Sequence, residues 1–174
     1  MWRGISTFEF SFRKMMRFSG TIPARTDVKG RVFFPSAYRR QLSAEEQEFV
    51  LRRDVYEPCL VVYPRKVWER EVDELRRRLN RWNPREAMLL RQFMADAEVF
   101  GLDASGRFLI PKRLLQAAGI VHELVFVGMD DRLELWSRER MERPFVESAD
   151  FGAALERLMA AGGRDEAADK DNPI

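Results

Sequence analysis

One five-residue pattern occurs twice in the 174 residues, as Asp27-Val28-Lys29-Gly30-Arg31 and as Asp103-Ala104-Ser105-Gly106-Arg107. A carboxylate four residues ahead of a guanidinium, with glycine between them, suits a tight turn. The aspartate can accept nearby backbone N–H groups, and glycine supplies a positive φ that other residues resist. The arginine then leaves the turn at the start of a strand. Its planar fork matches guanine O6/N7 or a phosphate, so an arginine held in place there can recognise nucleic acid. A single copy reads more simply as a turn-stabilising ion pair. Two copies, each followed by three apolar residues and a proline, shift the balance toward recognition.

No other residues nominate chemistry. The single histidine, His122, stands in a loop before a strand and reads as structural, and the single cysteine, Cys59, reads as a small buried hydrophobe. One of each excludes an intrachain disulfide and leaves no His/Cys cluster for zinc, which suits a reducing cytosol. G-x-S-x-G, H-E-x-x-H and P-loop patterns are absent, and Asp130-Asp131 reads as hairpin-turn chemistry. No enzyme, cofactor or metal is expected. The longest apolar run, Cys59 to Tyr63, is five residues, against about 20 for a membrane span.

Charge is distributed unevenly. The net +2 conceals +7 over residues 1–44, −1 over 45–144 and −4 over 145–174. A cationic first third is the footprint of a chain that meets phosphate. With 45% hydrophobic and 33% charged residues the chain can still bury a core.

The segment DVKGRVFFPSAY (27–38) aligns without gaps to DASGRFLIPKRL (103–114), and CLVVYPRKVWE (59–69) to RLELWSRERME (132–142). Two copies of one unit are expected. In each copy an apolar stretch arrives (Phe18 to Thr26; Ala97 to Leu102), the Asp-x-x-Gly turn follows, then a short strand (Val32 to Phe34; Phe108 to Ile110). Pro35 and Pro111 introduce short helices, Ser36 to Leu42 and Lys112 to Ala118. A hairpin closes each copy, Glu48 to Arg52 with Cys59 to Tyr63, and Glu123 to Val127 with Leu133 to Trp136. Pro23 within the first incoming strand predicts an edge or a bulge.

Between the copies the spacing predicts a helix over Arg65 to Leu79 and a second from Asn83-Pro84-Arg85-Glu86 to about Ala95. The helical pair is expected to pack on the sheet or on a neighbouring subunit, and Met88, Leu89, Phe93 and Met94, the apolar residues of the second helix, read as core. The organisation is therefore an extension or misassigned start at 1–16, a first repeat with its helical pair at 17–95, a second repeat at 96–146, and a flexible acidic tail at 147–174. That tail is expected to fray, with one or two helical turns at Phe151 to Ala161.

The strings FSGTIPARTDVKGRVFFPSAYR and DASGRFLIPKRLLQAAGI, with YPRKVWE, NPREAMLLRQFMADAEV and VFVGMDDRLELWSRERM, resemble the MraZ family over about residues 17–143. The resemblance implies an α+β fold of two SpoVT-AbrB-like swapped-hairpin half-units. They would form a pseudo-twofold β core with the helical pair between the repeats. It implies a cytoplasmic, nucleoid-associated regulator of the division and cell wall gene cluster. Such a protein binds direct repeats in its own promoter as a repressor, and assembles as a ring-shaped homo-oligomer without a membrane. The family's DNA-reading arginine falls on Arg31, its neighbour on Lys29 and the second-motif arginine on Arg107. Arg107, Arg25, Arg39 and Arg40 are weaker candidates than Arg31 and Lys29, Asp27 and Asp103 orient the turns, and Gly30 and Gly106 permit them. Ser105 in place of Lys29 makes the first motif the expected larger contributor. Head-to-tail subunits in a ring would present their motifs in one sense, matching direct repeats. The alternative is a ring acting through protein contacts without DNA.

Overall fold

The computed structural model of the protein describes residues 17–168; residues 1–16, expected as an extension or misassigned start, lie outside the described residues. The described residues fall into two compact units that divide after Arg140. The first carries strands β1 (Thr21–Arg25), β2 (Arg31–Phe33), β3 (Glu48–Arg53), β4 (Leu60–Pro64), β5 (Glu98–Gly101), β6 (Arg107–Leu109), β7 (Glu123–Met129) and β8 (Arg132–Ser137). Its helices are α1 (Ser36–Arg39), α2 (Arg65–Arg78), α3 (Pro84–Ala95) and α4 (Lys112–Ala117), with a short α5 (Arg138–Met141) at the boundary.

Six strands form one antiparallel sheet in the order β1-β7-β8-β4-β3-β5, and β2 pairs antiparallel with β6 in a separate ribbon. This order is swapped. The incoming strand of the first copy pairs with the hairpin of the second (β1 with β7), and that of the second with the hairpin of the first (β5 with β3). Exchanging the copies maps the order onto itself. The same holds for the ribbon, where Val32 faces Phe108 at the centre, flanked by Arg31 opposite Leu109 and Phe33 opposite Arg107. The pseudo-twofold axis passes through that central pair. Pro23 sits on β1, an edge strand, where a missing N–H is tolerated.

Alternation along the strands builds the core. Phe49, Leu51, Leu60, Val62, Leu124, Phe126, Leu133 and Leu135 turn toward the ribbon and meet Val32, Phe34, Tyr38, Phe108, Ile110 and Leu114. Aromatic rings link the layers: Phe34 to Phe49 at 5.1 Å, Phe49 to Phe100 at 5.4 Å and Phe100 to Phe108 at 4.5 Å between centroids. On the opposite face Val50, Val61 and Tyr63 are covered by Val67 and Trp68 of α2. Strand β4 is thus buried on both sides, which explains why Cys59 to Tyr63 is an unbroken apolar run. Cys59 is buried there, and loss of hydration pushes its thiol pKa well up, so it stays protonated.

Two expectations need correction. Of the α3 residues expected in the core, only Phe93 packs inward, stacking on Trp68 at 5.2 Å. Met88 and Leu89 are 64% and 61% exposed and Met94 is also exposed, because α3 reaches the sheet only through its last turn. The one or two helical turns expected at Phe151 to Ala161 lie within a longer helix, α6, of 21 residues over Ser148–Ala168 in the second unit. Its run of Ala, Leu, Glu, Arg and Met has the highest helix propensities, enough to outweigh Gly152, Gly162 and Gly163. No described helix is long and apolar enough to cross a membrane.

Candidate nucleic-acid interface

The two Asp/Arg turns have the same geometry. Asp27 Oδ1 accepts the backbone N–H groups of Lys29 and Arg31, each at 2.9 Å, and Asp27 Oδ2 accepts Arg31 Nε at 2.7 Å. Asp103 repeats this with Ser105 N and Arg107 N, each at 2.9 Å, and Arg107 Nε at 3.0 Å. Main-chain bonds close both loops, Asp27 N to Arg31 O and Asp103 N to Arg107 O, each at 2.8 Å. Gly30 and Gly106 take φ of 85° and 83°, in the region where a Cβ is strained. Each turn is also locked to the other copy, since Ile110 N donates to Gly30 O and Phe34 N to Gly106 O, both at 2.9 Å.

These bonds fix how each arginine is presented. Nε is held by the carboxylate, while the terminal nitrogens of Arg31 and Arg107 have no hydrogen-bond partner among the described residues. Both side chains are about one-third exposed, at 35% and 28%. A shallow concavity beside the ribbon is lined by Arg25, Asp27, Arg31 and Arg107 together with Pro23 and Phe33. Lys29 is exposed at the tip of its turn. Arg39 reaches from α1 to the second turn, where its guanidinium lies so close to Gly106 that a Cβ there would be 2.6 Å from Nη1. In the aligned repeats its counterpart is Leu115, which lies against Gly30 instead. The second turn therefore gains from Arg39 a cation that Ser105 does not supply. Arg40, the residue that caps α1 at its C-terminal end, is exposed and does not line the concavity.

A family model described as "MraZ protein, putative antitoxin-like" matches residues 17–92 and again residues 93–161. The chain belongs to the MraZ family. It is 50% identical over 146 residues to a transcriptional regulator MraZ of Bacteroides fragilis, covering 83% of this chain and 92% of that one. Identity to the Phocaeicola vulgatus transcriptional regulator MraZ is 50% over 152 residues, 87% of this chain and 99% of the relative. A Flavobacterium psychrophilum transcriptional regulator MraZ is 33% identical over 149 residues, 84% and 94% of the two chains. The family is thus one of transcriptional regulators rather than an enzyme class. Its duplicated match coincides with the two halves related by the pseudo-twofold axis.

Within this MraZ-type head, three contributors were not singled out by sequence. Phe33 and Leu109 stand exposed on the ribbon beside the arginines. Asp96, only 7% exposed, accepts Arg53 N at 2.9 Å and Arg113 Nη1 at 3.1 Å, tying α4 to β3. The signal for Phe33 and Leu109 was hidden in runs of three apolar residues, which carry no alternation. His122 is exposed and contributes its backbone carbonyl to Thr26 N. Asp130 takes φ of 62° in the β7–β8 turn, the hairpin role its sequence indicated.

The aspartates make the turns acid-sensitive. Backbone N–H donation, led by Arg31 for Asp27 and Arg107 for Asp103, holds both carboxyls below the ordinary aspartate value. A carboxylate depressed in the folded state stabilises fully above its unfolded value of about 3.9, and that contribution is lost as pH falls through the folded value. Unfolding followed by circular dichroism should show an acid-limb loss below about pH 4 that is smaller in an Asp27→Asn/Asp103→Asn variant. Equal acid limbs in both proteins would show that the carboxylates are not held in this way.

Proposed function

We propose that this transcriptional regulator binds double-stranded promoter DNA through the ribbon that carries its two Asp/Arg turns. Arg31 and Arg107 contact bases or phosphates, Lys29 and Arg39 add phosphate contacts, and Arg25 and Arg40 contribute less. Asp27 and Asp103 orient the turns, and Gly30 and Gly106 permit them. The target is a set of direct repeats upstream of its own gene in the division and cell wall cluster, bound as a repressor. The protein works in the cytoplasm on the nucleoid, as a ring-shaped homo-oligomer whose subunits present their ribbons in one sense.

One observation carries the reading: two arginines share the outward face of a single ribbon, each with Nε fixed and its terminal nitrogens free. Such a fork is pre-organised for guanine or phosphate, and a two-stranded ribbon is a known major-groove reader. The exposed Met88 and Leu89 of α3 favour contact between copies. They equally support the second reading, an assembly that acts through protein contacts alone.

Salt separates the two. Affinity for a fragment holding the repeats should fall by about a thousandfold or more between roughly 50 and 200 mM salt if several phosphates are contacted. A fragment with scrambled repeats should bind more weakly throughout. Flat salt dependence, or equal binding to both fragments, would favour the protein-contact reading.

A further inference from the structure

The outward face of the β2–β6 ribbon is half apolar. Val32 and Phe108 turn into the core, so strand alternation sends Arg31, Phe33, Arg107 and Leu109 to the other side. Phe33 is 60% exposed and Leu109 54%. Register sets each beside an arginine of the opposite copy, Phe33 facing Arg107 and Leu109 facing Arg31. The Arg107 guanidinium carbon lies 5.9 Å from the centre of the Phe33 ring. Phe33 also lines the concavity that holds Arg25 and Arg31. Its neighbours Val32 and Phe34 are both buried, which fixes the strand and leaves the ring no route inward.

We propose that Phe33, with Leu109 as its pseudo-twofold counterpart, forms an apolar subsite for thymine 5-methyl groups exposed in the major groove. This rests on the DNA reading above and goes beyond it, since it assigns base recognition to uncharged residues. The occupant must be anionic, because Arg25, Arg31 and Arg107 line the same concavity as Phe33 against the single carboxylate of Asp27, and it must also present apolar surface within that charge. Duplex DNA does both: phosphates flank the groove, and the thymine methyl is the apolar group on its floor. The arrangement lets an arginine take a guanine while the adjacent ring takes a neighbouring thymine. Phenylalanine on one half and leucine on the other make the two halves of the head unlike in what they prefer.

The test removes only the methyl group. Binding of the full chain, Phe33→Ala and Phe33→Leu is measured on the promoter fragment made with thymine and on the same fragment made with deoxyuridine. The wild type should bind the deoxyuridine fragment about fourfold more weakly for each methyl buried. Phe33→Ala should bind thymine DNA more weakly and lose most of the difference between the fragments, with Phe33→Leu in between. Equal wild-type binding to both fragments, or a full difference retained by Phe33→Ala, overturns the subsite while leaving DNA binding in place. Absence of salt-sensitive binding to either fragment overturns the DNA reading and the subsite together. If Phe33→Ala changes subunit number in light scattering, the patch is a contact between copies and the proposal fails.

Discussion

Replacing Arg31 with alanine should lower affinity for the promoter repeats by about 1–3 kcal/mol for each base it reads, roughly 5- to 150-fold. An assembly that engages several repeats compounds that loss through effective concentration, so specific binding should fall below detection. Arg107→Ala should act in the same direction. The fold should survive both changes, because Asp27 and Asp103 keep two backbone N–H donors each without the guanidinium. Lys29→Ala and Arg39→Ala should behave differently. Each should weaken binding about equally on all sequences and reduce the salt slope by about one. Competition titrations with repeat and scrambled fragments check the pattern. An Arg31→Ala protein that binds as tightly as wild type would remove that residue from the interface.

The largest effect on stability is expected at Gly128. A Cβ there would lie 2.3 Å from Ser19 N and 2.5 Å from the Phe18 carbonyl carbon, and both are backbone atoms that cannot turn aside. The chain entering β1 is laced to β7 at this point by Gly128 N to Gly20 O and by the paired bonds between Phe18 and Asp130. Gly128→Val must push that segment away and break these bonds. Overpacking of this kind costs about 3 kcal/mol, or about 6–12 °C in Tm for a chain of this size. Thermal unfolding measures it directly. An unchanged Tm would mean that residues 18–20 do not cross Gly128 so closely.

Much of the local structure was legible because its signals are local. The repeated Asp-x-x-Gly-Arg fixed both turns, and both hairpins appeared where apolar runs and turn residues placed them. Asn83-Pro84 began α3 as its types dictate, with the Asn83 side chain accepting Arg85 N at 3.0 Å. The candidate arginines could be named from the repeat, but their common surface could not. It arises from β2 pairing with β6 across 76 residues, a partnership that no local pattern encodes. The family resemblance supplied the swap of β1 and β5 between copies; periodicity alone would have allowed each strand to pair within its own half.

Other features were invisible for physical reasons. Amphipathic spacing shows that α3 has an apolar face but not what covers it, so Met88 and Leu89 read as core although they are exposed. The three apolar residues between Arg31 and Pro35 show no alternation, yet the middle one, Phe33, points outward. A continuous apolar run marks a strand covered on both faces in β4, and in β2 it marks a strand with one apolar side exposed. Only burial distinguishes them.

The claim that the paired turns are a DNA-reading head is tested most directly by one binding measurement. Wild type and the Arg31→Ala/Arg107→Ala variant are titrated against the DNA upstream of their own gene at two salt concentrations, with light scattering on the same samples. Salt-sensitive, repeat-dependent binding by the wild type and none by a variant of unchanged subunit number is the predicted result. Equal binding by both proteins, or by neither, would contradict it and return Asp27–Arg31 and Asp103–Arg107 to the role of structural turns.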